Sequence, residues 1–168
     1  MTIIKPTELT RRSILVLAGL TGIVSVTSVA VVQAQEMPSV DVFRHPSCDC
    51  CGRWVEHLRQ NGFAVKVAEA TDMQSIKRAA GVPPELAACH TAKVDGYVIE
   101  GHVPASAMKR LLAERPQGRG LAVPGMPEGS PGMEGAAPVV YDVILFDSGI
   151  STVYGRYKGE KAALESDR

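Results

Sequence analysis

Cys48, Cys50 and Cys51 fall within four positions of the stretch HPSCDCCGRW, residues 45–54. A disulfide framework needs partners far apart in the chain, and a core needs apolar bulk. Neither calls for three thiols on one turn. Cys48 and Cys51 have the C-x-x-C spacing, close enough for a disulfide or for a shared metal ion. Cys50 complicates a purely redox reading. Bonding it to the adjacent Cys51 closes a small, poorly shaped ring, and bonding Cys48 to Cys51 leaves Cys50 over as a reactive thiol. A metal removes the difficulty, because thiolates bridge several ions and three sulfurs on one turn make a compact cluster. The fourth cysteine, Cys89, comes with a histidine beside it, His90.

Thiolate and thioether donors select Cu(I), and thiolates also take zinc or iron–sulfur centres. Four Cys and His groups alone would suit structural zinc. Met126 and Met133 lie in a Gly/Pro-rich stretch, apolar residues in polar company. Thioether binds Cu(I) well and zinc poorly, so these two methionines favour copper. The expected metal ligands are Cys48, Cys50, Cys51, Cys89, His90, Met126 and Met133, holding Cu(I) in one or several ions. The other candidates have plainer readings. His45 ends a strand, as a solvated residue or one supporting the ligands, His57 reads as a surface residue of a helix, and His102 as a structural residue before the last helix that the fold could bring near the site. Met73 and Met108 read as core, and Trp54 as packing.

The elements that must position these groups follow from the hydrophobic pattern. SVDVFRH, 39–45, reads as a strand that leads straight into the cysteines. GRWVEHLRQNG, 52–62, has Trp54, Val55 and Leu58 on one helical face. FAVKVAEA, 63–70, alternates as a strand does. TDMQSIKRAAG, 71–81, starts at a capping Thr71 or Asp72 and stops at Gly81. TAKVDGYVIEG then carries Asp95-Gly96, a two-residue hairpin signal. HVPASAMKRLLAERP, 102–116, reads as a helix with Pro104 near its start. The order is β-α-β-α-β-β-α, which predicts an α/β sandwich on a mixed four-stranded sheet over residues 35–115. Residues 116–138 contain six glycines and five prolines in 23 positions and read as a linker or binding loop. Residues 139–168 read as a second hairpin, turning at Asp147-Ser148-Gly149, and a tail that is a frayed helix or disordered. A rival topology would make this second hairpin the central pair and the 90–101 hairpin an insertion.

Residues 1–34 belong to another class. Lys5, Arg11 and Arg12 precede the uncharged ILVLAGLTGIVSVTSVAVV, and VQA ends it at Ala34. This is the pattern of a cleaved secretory signal; the alternative is an uncleaved membrane anchor. The Arg11-Arg12 pair also admits twin-arginine export. Removing three basic residues and one acidic residue leaves the mature chain, 134 residues long, with a net charge of −2. The cysteines are then expected to work outside the cytoplasm, in the periplasm or its equivalent, where disulfides persist. No charge run points to nucleic acid, and nothing after the signal points to a membrane.

On this order the cysteines lie between the first strand and the first helix, at a carboxyl edge where α/β folds place their sites. The helix N-terminus there favours thiolates. The arrangement resembles thioredoxin and glutaredoxin. Those families carry a cis-proline opposite their C-x-x-C, and here the matching stretch is CHTA, residues 89–92, with no proline. That argues against dithiol exchange as the main function. The three stretches HPSCDCCGRW, ACHTAKVDGYVIEGHVPA and GLAVPGMPEGSPGME together resemble the domain-of-unknown-function 411 family, which includes periplasmic copper-resistance proteins called CopG. The resemblance spans nearly all of the mature chain. It implies a thioredoxin-like fold and a cysteine-bridged copper cluster, with Cys48, Cys50, Cys51, Cys89 and His90 at the family's positions. Copper ions are then the expected partners, with another periplasmic copper-handling or redox protein. Copper oxidoreduction would fit the cluster, but the residues argue for binding more than for turnover. The competing functions are a thiol–disulfide oxidoreductase and a secreted domain stapled by zinc or disulfides.

Overall fold

A computed structural model describes residues 37–164 except Ala136. The expected secretory signal and the end of the tail lie outside the described residues. Among the described residues, no helix is long and apolar enough to cross a membrane.

The chain runs β1 (Val40–Arg44), α1 (Asp49–Gln60), β2 (Val65–Glu69), α2 (Met73–Ala80), a 3-10 turn (Pro84–Leu86), β3 (His90–Val94), β4 (Tyr97–Glu100) and α3 (Ala105–Glu114). This is the mixed α/β order that the hydrophobic pattern predicts. Local chemistry explains the boundaries. Asp72 caps α2 by accepting from the Ser75 amide at 3.0 Å, and Gly81 closes it in the left-handed region. Asp95 and Gly96 both take positive φ, as a tight hairpin turn between β3 and β4 requires.

The sheet is larger than the four strands expected. After α3 come β5 (Gly120–Ala122), β6 (Val140–Asp147), β7 (Ile150–Lys158) and β8 (Lys161–Ala162). All eight strands form one sheet in the order β2-β1-β3-β4-β5-β6-β7-β8. The new element is β5, three residues inside the segment read as loop. It pairs parallel to β4, with Val98 opposite Gly120, and antiparallel to β6. A three-residue strand in Gly/Pro-rich sequence has no periodicity to reveal it. Through β5 the second hairpin, β6–β7, extends the sheet, while the β3–β4 hairpin stays central beside β1. The start of the tail forms β8 on β7 in place of a helix.

Alternation along the strands assigns the two faces. Ile99 and Leu121 join a core with Trp54, Val55 and Leu58 of α1 and Met108 and Leu111 of α3. Their neighbours Val98 and Ala122 join Ala80 of α2, Leu86 and Phe146 in a smaller cluster. α1 and α3 therefore cover one face and α2 the other. Met108 is core as expected, whereas Met73 is half-buried. His57 is half-buried rather than a plain surface residue. Its Nε2 accepts the Ala105 amide at 3.1 Å, so α1 caps the start of α3. Burial holds this imidazole below its ordinary pKa, which keeps the accepting lone pair free.

The β4–β5 pairing depends on a missing side chain. A Cβ at Gly120 would meet the Val98 carbonyl oxygen at 1.7 Å. Backbone on both sides cannot give way as a side chain can. We expect Gly120→Ala to lower the stability of the mature domain by about 3 kcal/mol, the upper end of overpacking costs, in urea titration followed by circular dichroism. A midpoint equal to wild type would show that β5 does not pack as described.

Candidate metal centre

β1 ends at Arg44, and four residues later Cys48 occupies the N-cap of α1. The turn between them is held locally. Arg44 Nη1 donates to the Cys48 carbonyl at 2.9 Å, and its Nη2 pairs with Glu69 at 2.7 Å. His45 is spent on the same turn, its Nδ1 accepting the Ser47 amide at 3.2 Å and lying 2.6 Å from Ser47 Oγ. α1 begins earlier than the sequence pattern suggests, at Asp49, so Cys50 and Cys51 lie in its first turn. Cys51 is fully buried, while Cys48 and Cys50 are half-buried.

Cys48 and Cys51 form a disulfide, with their Cα atoms 5.4 Å apart. Cys50 and Cys89 keep free thiols. Cys50 Sγ lies 3.5 Å from Cys48 Sγ. The four sulfurs of Cys48, Cys50, Cys51 and Cys89 all lie within 4.8 Å of one another. Residues 89–90, distant in sequence, thus meet the cysteine triplet. β3 pairs antiparallel to β1 with His90 opposite Arg44, so the start of one strand adjoins the end of the other.

A second group shares Cys89. Its Sγ lies 3.3 Å from His90 Nδ1 and 3.0 Å from His102 Nε2, and the three ligand atoms fall within the same 4.8 Å limit. His102, read from sequence as structural, is fully buried in the centre of the site. A signal for it was present. The hairpin register pairs Val94 with Tyr97 and Thr91 with Glu100. Continuing that register sets Cys89 opposite His102.

The Gly/Pro-rich segment closes against this group. His102 Nδ1 lies 2.7 Å from the Pro131 carbonyl, which can only accept, so Nδ1 carries the proton and Nε2 offers a lone pair toward Cys89. Gly132 packs where no side chain fits. A Cβ there would lie 2.8 Å from both the Cys50 carbonyl oxygen and the Trp54 amide nitrogen. Arg53 Nε holds the Gly132 carbonyl at 2.9 Å. Met133 follows directly and is half-buried, whereas Met126 is 54% exposed.

The donor set fits a soft metal ion. His90 Nε2 is buried with no hydrogen-bond partner, the one such side-chain atom among the described residues. Leaving a buried polar atom unpaired is costly, and the other ring nitrogen of His90, Nδ1, is the one that faces Cys89 Sγ. Its ring lies 4.2 Å from the Trp54 ring and 5.1 Å from that of His102. Burial, reinforced by the neighbouring His102, holds His90 well below the ordinary imidazole pKa. Burial also lowers His102, against the pull of the Pro131 carbonyl. Both rings are therefore neutral near pH 7, as ligation requires. A ligating histidine usually donates its other N–H to a carbonyl or carboxylate, and His102 does so to Pro131.

Residues 86–133 match the family described as protein of unknown function, DUF411. Two solved structures named copper resistance protein copG superpose on the chain with a TM-score of 0.69 each. Form 2 is 42% identical and covers 73% of this chain and 99% of its own; Form 1 is 44% identical and covers 74% and 100%. The chain belongs to the DUF411 family. No curated protein matches it. The DUF411 match runs from Leu86 through Cys89, His90 and His102 to Met133. The structural match to the copG proteins, at this identity, carries the α/β architecture with it.

The Cys89 thiol is pushed up to about 12, by burial first and then by the nearby Cys50 sulfur. It is therefore protonated without metal, and a bound cation must displace that proton. With the disulfide reduced, apparent metal affinity should rise with pH between about 6 and 8, by about tenfold per pH unit for each proton released. Cys89→Ser should reduce that slope by about one proton. Chelator competition at several pH values measures it, and a pH-independent affinity would contradict the protonated thiol.

Proposed function

We propose that the chain is an exported copper-binding protein of copper resistance or homeostasis, and that its cargo is Cu(I). The supporting observation is the convergence of four sulfurs and two neutral imidazoles at the mouth of α1. Cys48, Cys50, Cys51, Cys89 and His90 would hold the copper. His102 joins them on the strength of its free Nε2. Met133 is the better placed of the two methionines, half-buried and one residue beyond the Gly132 contact, whereas Met126 is exposed. The named relatives are copper resistance proteins, which favours copper over zinc. Thiolates that bridge ions let this set take more than one copper. The signal pattern before Gln35 supports work in the periplasm, and the β-α-β-α-β-β-α order supports a thioredoxin-like centre.

The Cys48–Cys51 disulfide gives the cluster two states. Two electrons and two protons convert it to two thiols, which lose those protons on binding metal. In the oxidised form two of the four sulfurs are bonded to each other and are poorer donors. Copper loading and sulfur redox state are thus linked at one site. A second reading, a thiol–disulfide oxidoreductase acting through Cys48 and Cys51, takes support from the same disulfide at a helix N-terminus. Against it, Cys89, His90 and the 130–132 segment crowd the face that a substrate peptide would need.

The separating experiment is an anaerobic Cu(I) titration of the reduced mature domain against a competing chelator. The copper reading expects more than one tightly held Cu(I) per chain, with the multi-copper form lost in Cys50→Ser. One tight zinc and no multi-copper form would favour a structural role. Insulin reduction that survives both Cys50→Ser and Cys89→Ser would favour the oxidoreductase.

A further inference from the structure

On the α2 face of the sheet, away from the sulfurs, lies an ion pair closed off from solvent. Lys77 of α2 reaches Glu100 of β4 with Nζ 2.5 Å from Oε1, their side chains 5% and 0% exposed. The carboxylate has two more partners. Oε1 accepts the Ala88 amide at 2.6 Å, and Oε2 accepts the Thr91 hydroxyl at 2.7 Å. Lys77 Nζ also donates to Thr91 Oγ1 at 3.2 Å. Each charged atom of the pair is hydrogen-bonded within this network.

Its partners bracket the metal-site residues in sequence. Ala88 immediately precedes Cys89, and Thr91 immediately follows His90. Successive residues of a strand point to opposite faces. Thr91 is directly opposite Glu100 in the β3–β4 register and shares its face, while His90 points the other way, onto Trp54. Glu100 thus grips the chain on both sides of the Cys89–His90 pair from behind. The Gly101 amide, donating to the His90 carbonyl at 3.0 Å, completes the clamp.

Stability alone does not account for such a pair. Buried ion pairs are often no more stable than well-packed apolar residues of similar volume. We propose that Lys77, Thr91 and Glu100 are positioning residues that fix Cys89 and His90 for metal. This rests on the reading of that pair as ligands. None of the three touches the ion; they act by denying the 88–91 segment other conformations. Supports of this kind beyond the ligands usually change metal affinity by about 10- to 100-fold.

The test uses the reduced mature domain, Cu(I) affinity by chelator competition, and Co(II) as a spectroscopic probe of thiolate coordination. The informative variant is Lys77→Met/Glu100→Leu, which removes both charges together. It should fold with a lowered thermal midpoint, because the Ala88 amide and the Thr91 hydroxyl lose their acceptor, lose about 10- to 100-fold in Cu(I) affinity, and show a Co(II)–thiolate band displaced toward that of Cys89→Ser. A folded double variant with wild-type affinity and spectrum, where Cys89→Ser differs from wild type, would overturn the proposal. If the double variant does not fold, Glu100→Gln decides, measured beside Phe146→Leu, a core change in the same face that touches none of the network. Glu100→Gln must then lose more affinity than Phe146→Leu at a comparable loss of thermal midpoint, and equal losses would overturn the proposal. An unchanged Cys89→Ser would instead mark the failure of the ligand reading itself.

Discussion

The register of β1 against β3 is the constraint on which the site depends. Arg44 pairs with His90, so the strand that delivers the cysteine helix ends beside the strand that begins with the Cys-His pair. Strand side chains alternate, and a slip of one residue would turn His90 to the α2 face and Thr91 to the α1 face. His90 and the anchoring Thr91 would then exchange places. Both faces resist that slip. Ala92 and Val94 are buried in the α1 core, and Thr91 is bound to Glu100 on the other side.

From that register the rest follows by short steps. The tight Asp95-Gly96 turn carries the chain back so that His102 lies across from Cys89. α3 starts three residues later, capped by His57 of α1. β5 joins β4 because Gly120 lets two backbones approach, and this brings the chain back toward the site with Pro131 and Gly132 ahead of it. Those two residues then set the tautomer of His102 and close the cleft above α1. A stretch with no regular structure is therefore fixed in place by side chains and carbonyls that belong to the site.

Much of this was legible in the residues. Three thiols on one turn and a Cys-His pair point to the side chains that the fold brings together, and alternating or helical apolar spacing gives the seven central elements in order. Asp72, Gly81 and Asp95-Gly96 act where their chemistry predicts. What was not legible is long-range. β5 is too short to carry a pattern and exists through its pairing with β4 and β6. His102 resembles a helix-preceding residue until the hairpin register is counted back to Cys89. The burial of Lys77 depends on Glu100, 23 positions away, which no local pattern shows. The choice of Cys51 as the partner of Cys48 was one of the options the spacing left open, and the fold takes it while keeping Cys50 within reach.

The central claim is that sulfur from both Cys89 and the Cys48–Cys51 turn, together with imidazole, surrounds copper at one helix mouth. X-ray absorption at the copper edge, on the reduced domain loaded with Cu(I), addresses it most directly. The account predicts a first shell dominated by sulfur with a nitrogen component that weakens when His102 is replaced, and scattering from neighbouring copper ions. A shell of oxygen and nitrogen alone, unchanged by the loss of Cys50 and Cys89, would contradict it.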